Sequence, residues 1–132
     1  IDPAHSFDID LKGPAYISGD KQLIKQAIRI LVDNSIKYTP EGGKISVHLD
    51  AVPEEVHIKV TDTGIGIPKD DIPRIFERFY RVDKARSREM GGTGLGLSIA
   101  KEIIEAHEGT ITISSKEGKG TDVLVKLPVK KE

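Results

Sequence analysis

The sequence contains no cysteine and no tryptophan. The absence of cysteine excludes disulfide frameworks, thiolate catalysis and cysteine-based zinc sites, and is compatible with a reducing compartment. No apolar run approaches the roughly 20 residues that a bilayer-spanning helix needs, and the first residues lack the marks of a signal peptide. Neither sign of charge dominates: 20 Lys and Arg stand against 21 Asp and Glu, for a net charge of -1. That balance argues against bulk binding to nucleic acid or to a membrane surface. Aromatics are scarce at 5%, and three of the six are Phe76, Phe79 and Tyr80.

What is present fits one domain spanning residues 1–132. A chain of this length buries roughly two thirds of its unfolded surface, so a real core is feasible. With 37% hydrophobic and 31% charged residues it is neither a membrane protein nor disordered. Of its 13 glycines, six fall within 64–66 and 91–96, so the stretch between those clusters departs most from a plain globular pattern.

Alternating residues at 7–11 and 14–18, joined across Lys12-Gly13-Pro14, predict a hairpin, with Asp20 as an N-cap. Apolar residues at helical spacing (Leu23, Ile24, Ala27, Ile28, Leu31, then Ser35 or Ile36) predict a helix to Tyr38, ended by Pro40 and Gly42-Gly43. Period-two alternation at 44–50 and 55–61 predicts an antiparallel pair around Val52-Pro53-Glu54. A short helix is expected over 69–78, with Pro73 in its first turn. A second long helix is expected from near Gly94, burying Leu95, Ile99, Ile103 and Ala106 and capped by Gly109. Strands at 110–115 and 121–127 close the chain. The order ββαββααββ predicts an α/β (α+β) two-layer sandwich: helices on one side of a mostly antiparallel sheet.

Three segments carry chemistry. Asn34 falls on or beside the apolar stripe of the first helix, with Lys37 and Tyr38 on the same edge. An amide oxygen for a cation, an ammonium for an anion and an aromatic ring suit a nucleotide phosphate; the bland alternative is a cap or a satisfied core amide. Asp62-Thr63-Gly64-Ile65-Gly66-Ile67-Pro68 follows a strand, and glycines there let a backbone approach closely. Asp62 is an acceptor fit for an exocyclic amino group; the alternative is an ordinary turn. Gly91-Gly92-Thr93-Gly94-Leu95-Gly96-Leu97 opens a helix, where free N–H groups and the helix dipole can cradle an anion. It is neither a P-loop nor a dinucleotide-binding fingerprint, and its alternative is a hinge. Residues 74–88 add an excess of four positive charges, with Arg78 and Arg81 among them.

Taken in order, ILVDNSIKYTP (30–40), DTGIGIP (62–68), IFERFYR (75–81), GGTGLGL (91–97) and Gly118-Lys119-Gly120-Thr121 resemble the N, G1, F, G2 and last glycine boxes of one family. The sequence is similar, over about residues 7–127, to the catalytic and ATP-binding domain of bacterial sensor histidine kinases, in the superfamily of gyrase, Hsp90 and MutL. The resemblance implies the Bergerat ATP-binding fold and a protein-histidine kinase. Such a domain binds ATP with Mg²⁺ and passes the γ-phosphoryl group to a histidine on a separate dimerisation domain, and so indirectly to a response regulator. It implies a cytoplasmic domain of a membrane-anchored kinase, with the fragment itself a monomer.

The same resemblance implies roles by position. Asn34 would ligate Mg²⁺, Lys37 would meet phosphate, and Tyr38 would pack on adenine or ribose. Asp62 would take the adenine amino group, with Gly64, Gly66 and Ile67 shaping the pocket and Thr121 lining the adenine end. Residues between Phe76 and Gly92 would form an ATP lid carrying Arg78 and Arg81. Gly92, Thr93, Gly94, Leu95, Gly96 and Leu97 would hold the phosphates. Two departures stand out. Ile30 replaces a second Asn, or the water-orienting Glu of the superfamily's hydrolases. None of the four histidines (His5, His48, His57, His107) sits in a phosphoacceptor motif, so plain structural roles are expected for them. Two alternatives share these boxes: an anti-sigma-factor-type protein serine kinase, and a nucleotide-binding module without catalysis.

Overall fold

Alternation along the chain builds a five-stranded sheet with one apolar and one polar face. A computed structural model describes residues 6–12, 21–77 and 96–128. The elements are β1 (Ser6–Lys12), α1 (Lys21–Tyr38), β2 (Lys44–Val52), β3 (Glu55–Asp62), a 3-10 turn (Ile72–Arg74), α2 (Gly96–Ala106), β4 (Thr110–Lys116) and β5 (Gly120–Pro128). The strand order is β1-β2-β3-β5-β4. β1 runs parallel to β2, and the other three pairings are antiparallel. Parallel neighbours need a crossover, and α1 supplies it between β1 and β2. The partner expected for β1 at 14–18, and the cap Asp20, lie outside the described residues.

The core forms where helix stripes meet the apolar face. Val56, Ile58 and Val60 of β3, Val123, Val125 and Leu127 of β5, Ile45 and Ile111 are buried against Ile24, Ala27 and Leu31 of α1 and Ala100, Ile103 and Ile104 of α2. Each of the Val, Leu and Ile side chains among them contributes about 1.5–3 kcal/mol by leaving water. The opposite face carries His48, His57 and Lys59 and is polar, with a His57–Glu55 contact at 3.2 Å and a Lys59–Asp122 pair at 3.9 Å. His107 follows α2 directly, with its Nδ1 2.8 Å from the Ile103 carbonyl. His5 lies outside the described residues.

Three expectations are corrected. The helix expected over 69–78 is a 3-10 turn of three residues, with Pro73 inside it, and Phe76 beyond it packs on the core. Lys101 stands 6.0 Å above the Phe76 ring centroid. In α2 the buried positions are Ser98, Ala100, Ile103 and Ile104, while Ile99 is only partly buried and Ala106 is exposed. The left-handed residue after α2 is Glu108 at φ 62°, and Gly109 donates to the Ile104 carbonyl at 2.9 Å, the closing bond of a Schellman motif. Glycine is needed at 109 for room: a Cβ there would lie 2.8 Å from Leu127 Cδ2.

Candidate functional site

Four elements converge on the helix side of the sheet: the end of α1, the loop after β3, the start of α2 and the β4–β5 turn. Cross-strand register aligns Ile45, Asp62, Thr121 and Ser115 in one row over β2, β3, β5 and β4. Aliphatic side chains fill the neighbouring rows, so a carboxylate and two hydroxyls here interrupt the core.

Asp62 is 8% exposed. Its Oδ1 accepts the Gly64 N–H at 2.9 Å and the Thr121 N–H at 3.3 Å, and the buried Ser35 hydroxyl donates to the same carboxylate. Burial pushes its pKa above the ordinary carboxylate value, and the nearby Asp122 adds to that, while the three donors pull it back. No cation acts on it among the described residues. A buried carboxylate held, among the described residues, by neutral donors is costly for the fold, and such groups cluster at working sites.

The loop after β3 is fixed by its neighbours. Ile65 donates to the Tyr38 carbonyl at 3.1 Å, and Gly118 donates to the Ile65 carbonyl at 2.7 Å. Ile67 N–H donates to Ser115 Oγ at 2.8 Å. Gly66 takes φ 74°, and a Cβ on it would press on the Lys116 carbonyl and sit 2.8 Å from Glu117 Cα. A Cβ on Gly64 would crowd the Tyr38 carbonyl and stand 2.9 Å from Asp62 Oδ1. The close approach these glycines permit is to the protein's own backbone.

The structure brings Asn34, Lys37 and Tyr38 to the last turns of α1, Asn34 and Tyr38 half-buried and Lys37 exposed. Gly96 opens α2 beside α1, its Cβ position 3.3 Å from Ile30 Cγ2, one turn before Asn34; Leu97 packs on the core. Arg78, Arg81, Gly92, Thr93, Gly94 and Leu95 lie outside the described residues. Among the described residues no group of three or more His, Asp or Glu is placed to hold a metal ion. A Mg²⁺ keeps several waters and needs only one or two protein oxygens beside phosphates, so the single amide oxygen of Asn34 suits it. Sequence reasoning missed Ser35 and Ser115 as parts of this site.

Residues 19–131 match the family described as histidine kinase-, DNA gyrase B-, and HSP90-like ATPases. The chain belongs to this family. Its ATPase-family fold is shared with the mycobacterial sensor histidine kinase MprB, at a TM-score of 0.86 and 30% identity, covering 98% of this chain and 86% of that one. It is also 50% identical over 119 residues to the sensor histidine kinase WalK of Bacillus subtilis (strain 168), covering 89% of this chain. The structure of full-length ShkA in complex with AMPPNP matches at a TM-score of 0.81 and 25% identity, over 97% of this chain and 26% of that one. The chain spans about a fifth of WalK (20%). It is an ATPase-family domain of the sensor-histidine-kinase type, with the α/β sandwich expected from the element order. Among the described residues no helix is long and apolar enough to cross a membrane.

Proposed function

We propose that this domain binds ATP with Mg²⁺ and donates the γ-phosphoryl group to a histidine on a separate dimerisation domain of the same kinase, which then serves a response regulator. The observation that carries the reading is Asp62, a buried carboxylate on which no cation acts among the described residues, set in a row of oxygens at the end of β3. It accepts the adenine amino group, which disfavours guanine with its carbonyl in that place. Thr121 lines the same end, Gly64, Gly66 and Ile67 form the wall, and Tyr38 packs on the base or ribose. Asn34 and Lys37 face the phosphates, and the N–H groups of residues 92–97 receive them, helped by the dipole of α2. Arg78 and Arg81 are proposed as lid cations. Bound Mg²⁺ supplies charge neutralisation across the phosphates.

Transfer breaks the bond between the γ-phosphorus and its bridging oxygen, forms a phosphorus–nitrogen bond on the acceptor histidine, and leaves ADP. The protein's part is to position and neutralise, because such transfer needs little covalent help. The domain is proposed to act as a monomer docked to that partner, within a membrane-anchored kinase. Incubation with γ-labelled ATP and a supplied phosphoacceptor domain tests the reading. Acid-labile, base-stable label on that domain is expected; ATP binding without transfer to any such domain, or transfer to a serine substrate, contradicts it.

A further inference from the structure

Ser115 sits on β4 and is partly buried beneath the loop after β3. Its Oγ has three polar neighbours: the Ile67 N–H at 2.8 Å, the Gly120 carbonyl at 2.9 Å and Thr121 Oγ1 at 2.8 Å. A hydroxyl holds one proton and two lone pairs. The carbonyl of Gly120 can only accept, so the Ser115 proton goes there. The N–H of Ile67 can only donate, so it takes one Ser115 lone pair. The remaining contact, with Thr121, uses the other lone pair, and the donor in it is Thr121. The Thr121 proton is thereby committed to Ser115.

The consequence lies at the proposed base end of the site. Thr121 is the cross-strand neighbour of Asp62, and paired side chains at such positions lie about 5 Å apart on one face. With its proton turned toward β4, Thr121 offers an entering ligand lone pairs only. The Asp62 carboxylate likewise only accepts. We infer that Ser115 is a specificity-determining residue: by taking the hydroxyl proton of Thr121 it makes this end of the site acceptor-only, so that the group on ring carbon 6 of a purine meets lone pairs alone, which favours an amino group there over a carbonyl. The inference rests on the nucleotide reading of the site and deepens it. It assigns selectivity to a side chain behind the contact surface, through the rotor of a neighbouring hydroxyl.

Removing the Ser115 hydroxyl frees the Thr121 proton to swing toward the ligand and donate to a carbonyl. ATP and ITP are suitable probes: at carbon 6 they carry amino against carbonyl, and their further difference, a bare N1 against an N1–H, is common to every variant, so the effect is read from the change in the ATP-to-ITP ratio between variants. Affinities of both, in Mg²⁺ buffer, are measured by calorimetry for the native protein and for Ser115→Ala, Ser115→Thr, Thr121→Val and the Ser115→Ala/Thr121→Val double variant. The native protein is expected to prefer ATP. Ser115→Ala is expected to narrow the ATP-to-ITP ratio by roughly threefold to tenfold, the value of one neutral hydrogen bond. Ser115→Thr, which keeps a hydroxyl, restores the ratio, and in the Thr121→Val background Ser115→Ala changes it no further. Should Ser115→Ala not fold, Ser115→Cys is read in the same way, its thiol being a weak donor and acceptor. Equal weakening of ATP and ITP, with the ratio intact, marks a merely structural Ser115 and overturns the inference while leaving the nucleotide site standing. Failure of the native protein to bind either nucleotide overturns both.

Discussion

Replacing Asp62 by Asn keeps the shape of the side chain and changes only charge and donor pattern. The amide oxygen still accepts from Gly64 N–H and Thr121 N–H, which now meet Asp62 Oδ1 at 2.9 and 3.3 Å. The Ser35 hydroxyl, which donates to the carboxylate, can turn to accept from the new amide. The fold therefore keeps its hydrogen bonds and loses a buried charge. A ligand amino group loses a hydrogen bond to a charged acceptor, about 1.5–3 kcal/mol, so ATP affinity is expected to fall roughly 10- to 150-fold. Stability is expected to hold or rise. Burial raises the folded pKa of Asp62 above its unfolded value, so the folded state binds this proton more tightly. Native stability relative to Asp62→Asn is greatest below the ordinary carboxylate value of 3.8 and declines as pH rises through the raised folded value. Calorimetric titration with ATP and urea unfolding at several pH values read both arms. Equal ATP affinity for the two proteins, or a variant destabilised by about 2 kcal/mol at neutral pH, would refute the argument that this carboxylate serves a ligand.

Other outcomes follow from the same geometry. Asn34→Ala should abolish the Mg²⁺ dependence of ATP binding with the fold preserved, as titrations with Mg²⁺ and with EDTA will show; an unfolded variant with unchanged affinity per folded molecule assigns Asn34 to the core. ATP hydrolysis by the domain alone should stay near background, because Ile30 is apolar and lies against Gly96 where the superfamily's hydrolases place Glu; a co-purifying turnover of about one per second or faster contradicts this. Glu54 holds φ 70° in the β2–β3 turn, so Glu54→Gly should raise the urea midpoint by the equivalent of about 0.5–1 kcal/mol, and a lowered midpoint shows the turn is not strained.

Local periodicity carried much of the fold. The helix read from Leu23 to Tyr38 is Lys21–Tyr38, and the strands read at 44–50 and 55–61 are Lys44–Val52 and Glu55–Asp62. The last two strands were legible for the same reason. The parallel pairing of β1 with β2 was not, because alternation says which face is apolar and nothing about which distant strand is the neighbour. The phase of the first helix was misjudged at one end: Leu23 is 40% exposed, and the buried stripe runs Ile24, Ala27, Leu31, Ser35. At the site, Asp62 and Thr121 stood out through their motifs and are neighbours across β3 and β5. Ser35 and Ser115 did not, since a serine has no spacing signature of its own. Only helix phase brought the first to Asp62, and only sheet register brought the second to Thr121.

The central claim is that a purine nucleotide occupies the helix side of the sheet between α1, the loop after β3 and the β4–β5 turn. Amide chemical-shift mapping of the isotope-labelled domain during titration with Mg²⁺ and a non-hydrolysable ATP analogue tests it most directly. The account predicts saturable shifts at Asn34, Ser35, Asp62 through Ile67, Gly96, Leu97 and Thr121, with His48, His57 and Thr112 on the outer sheet face unmoved. Shifts concentrated on that outer face, or none at millimolar nucleotide, would contradict it.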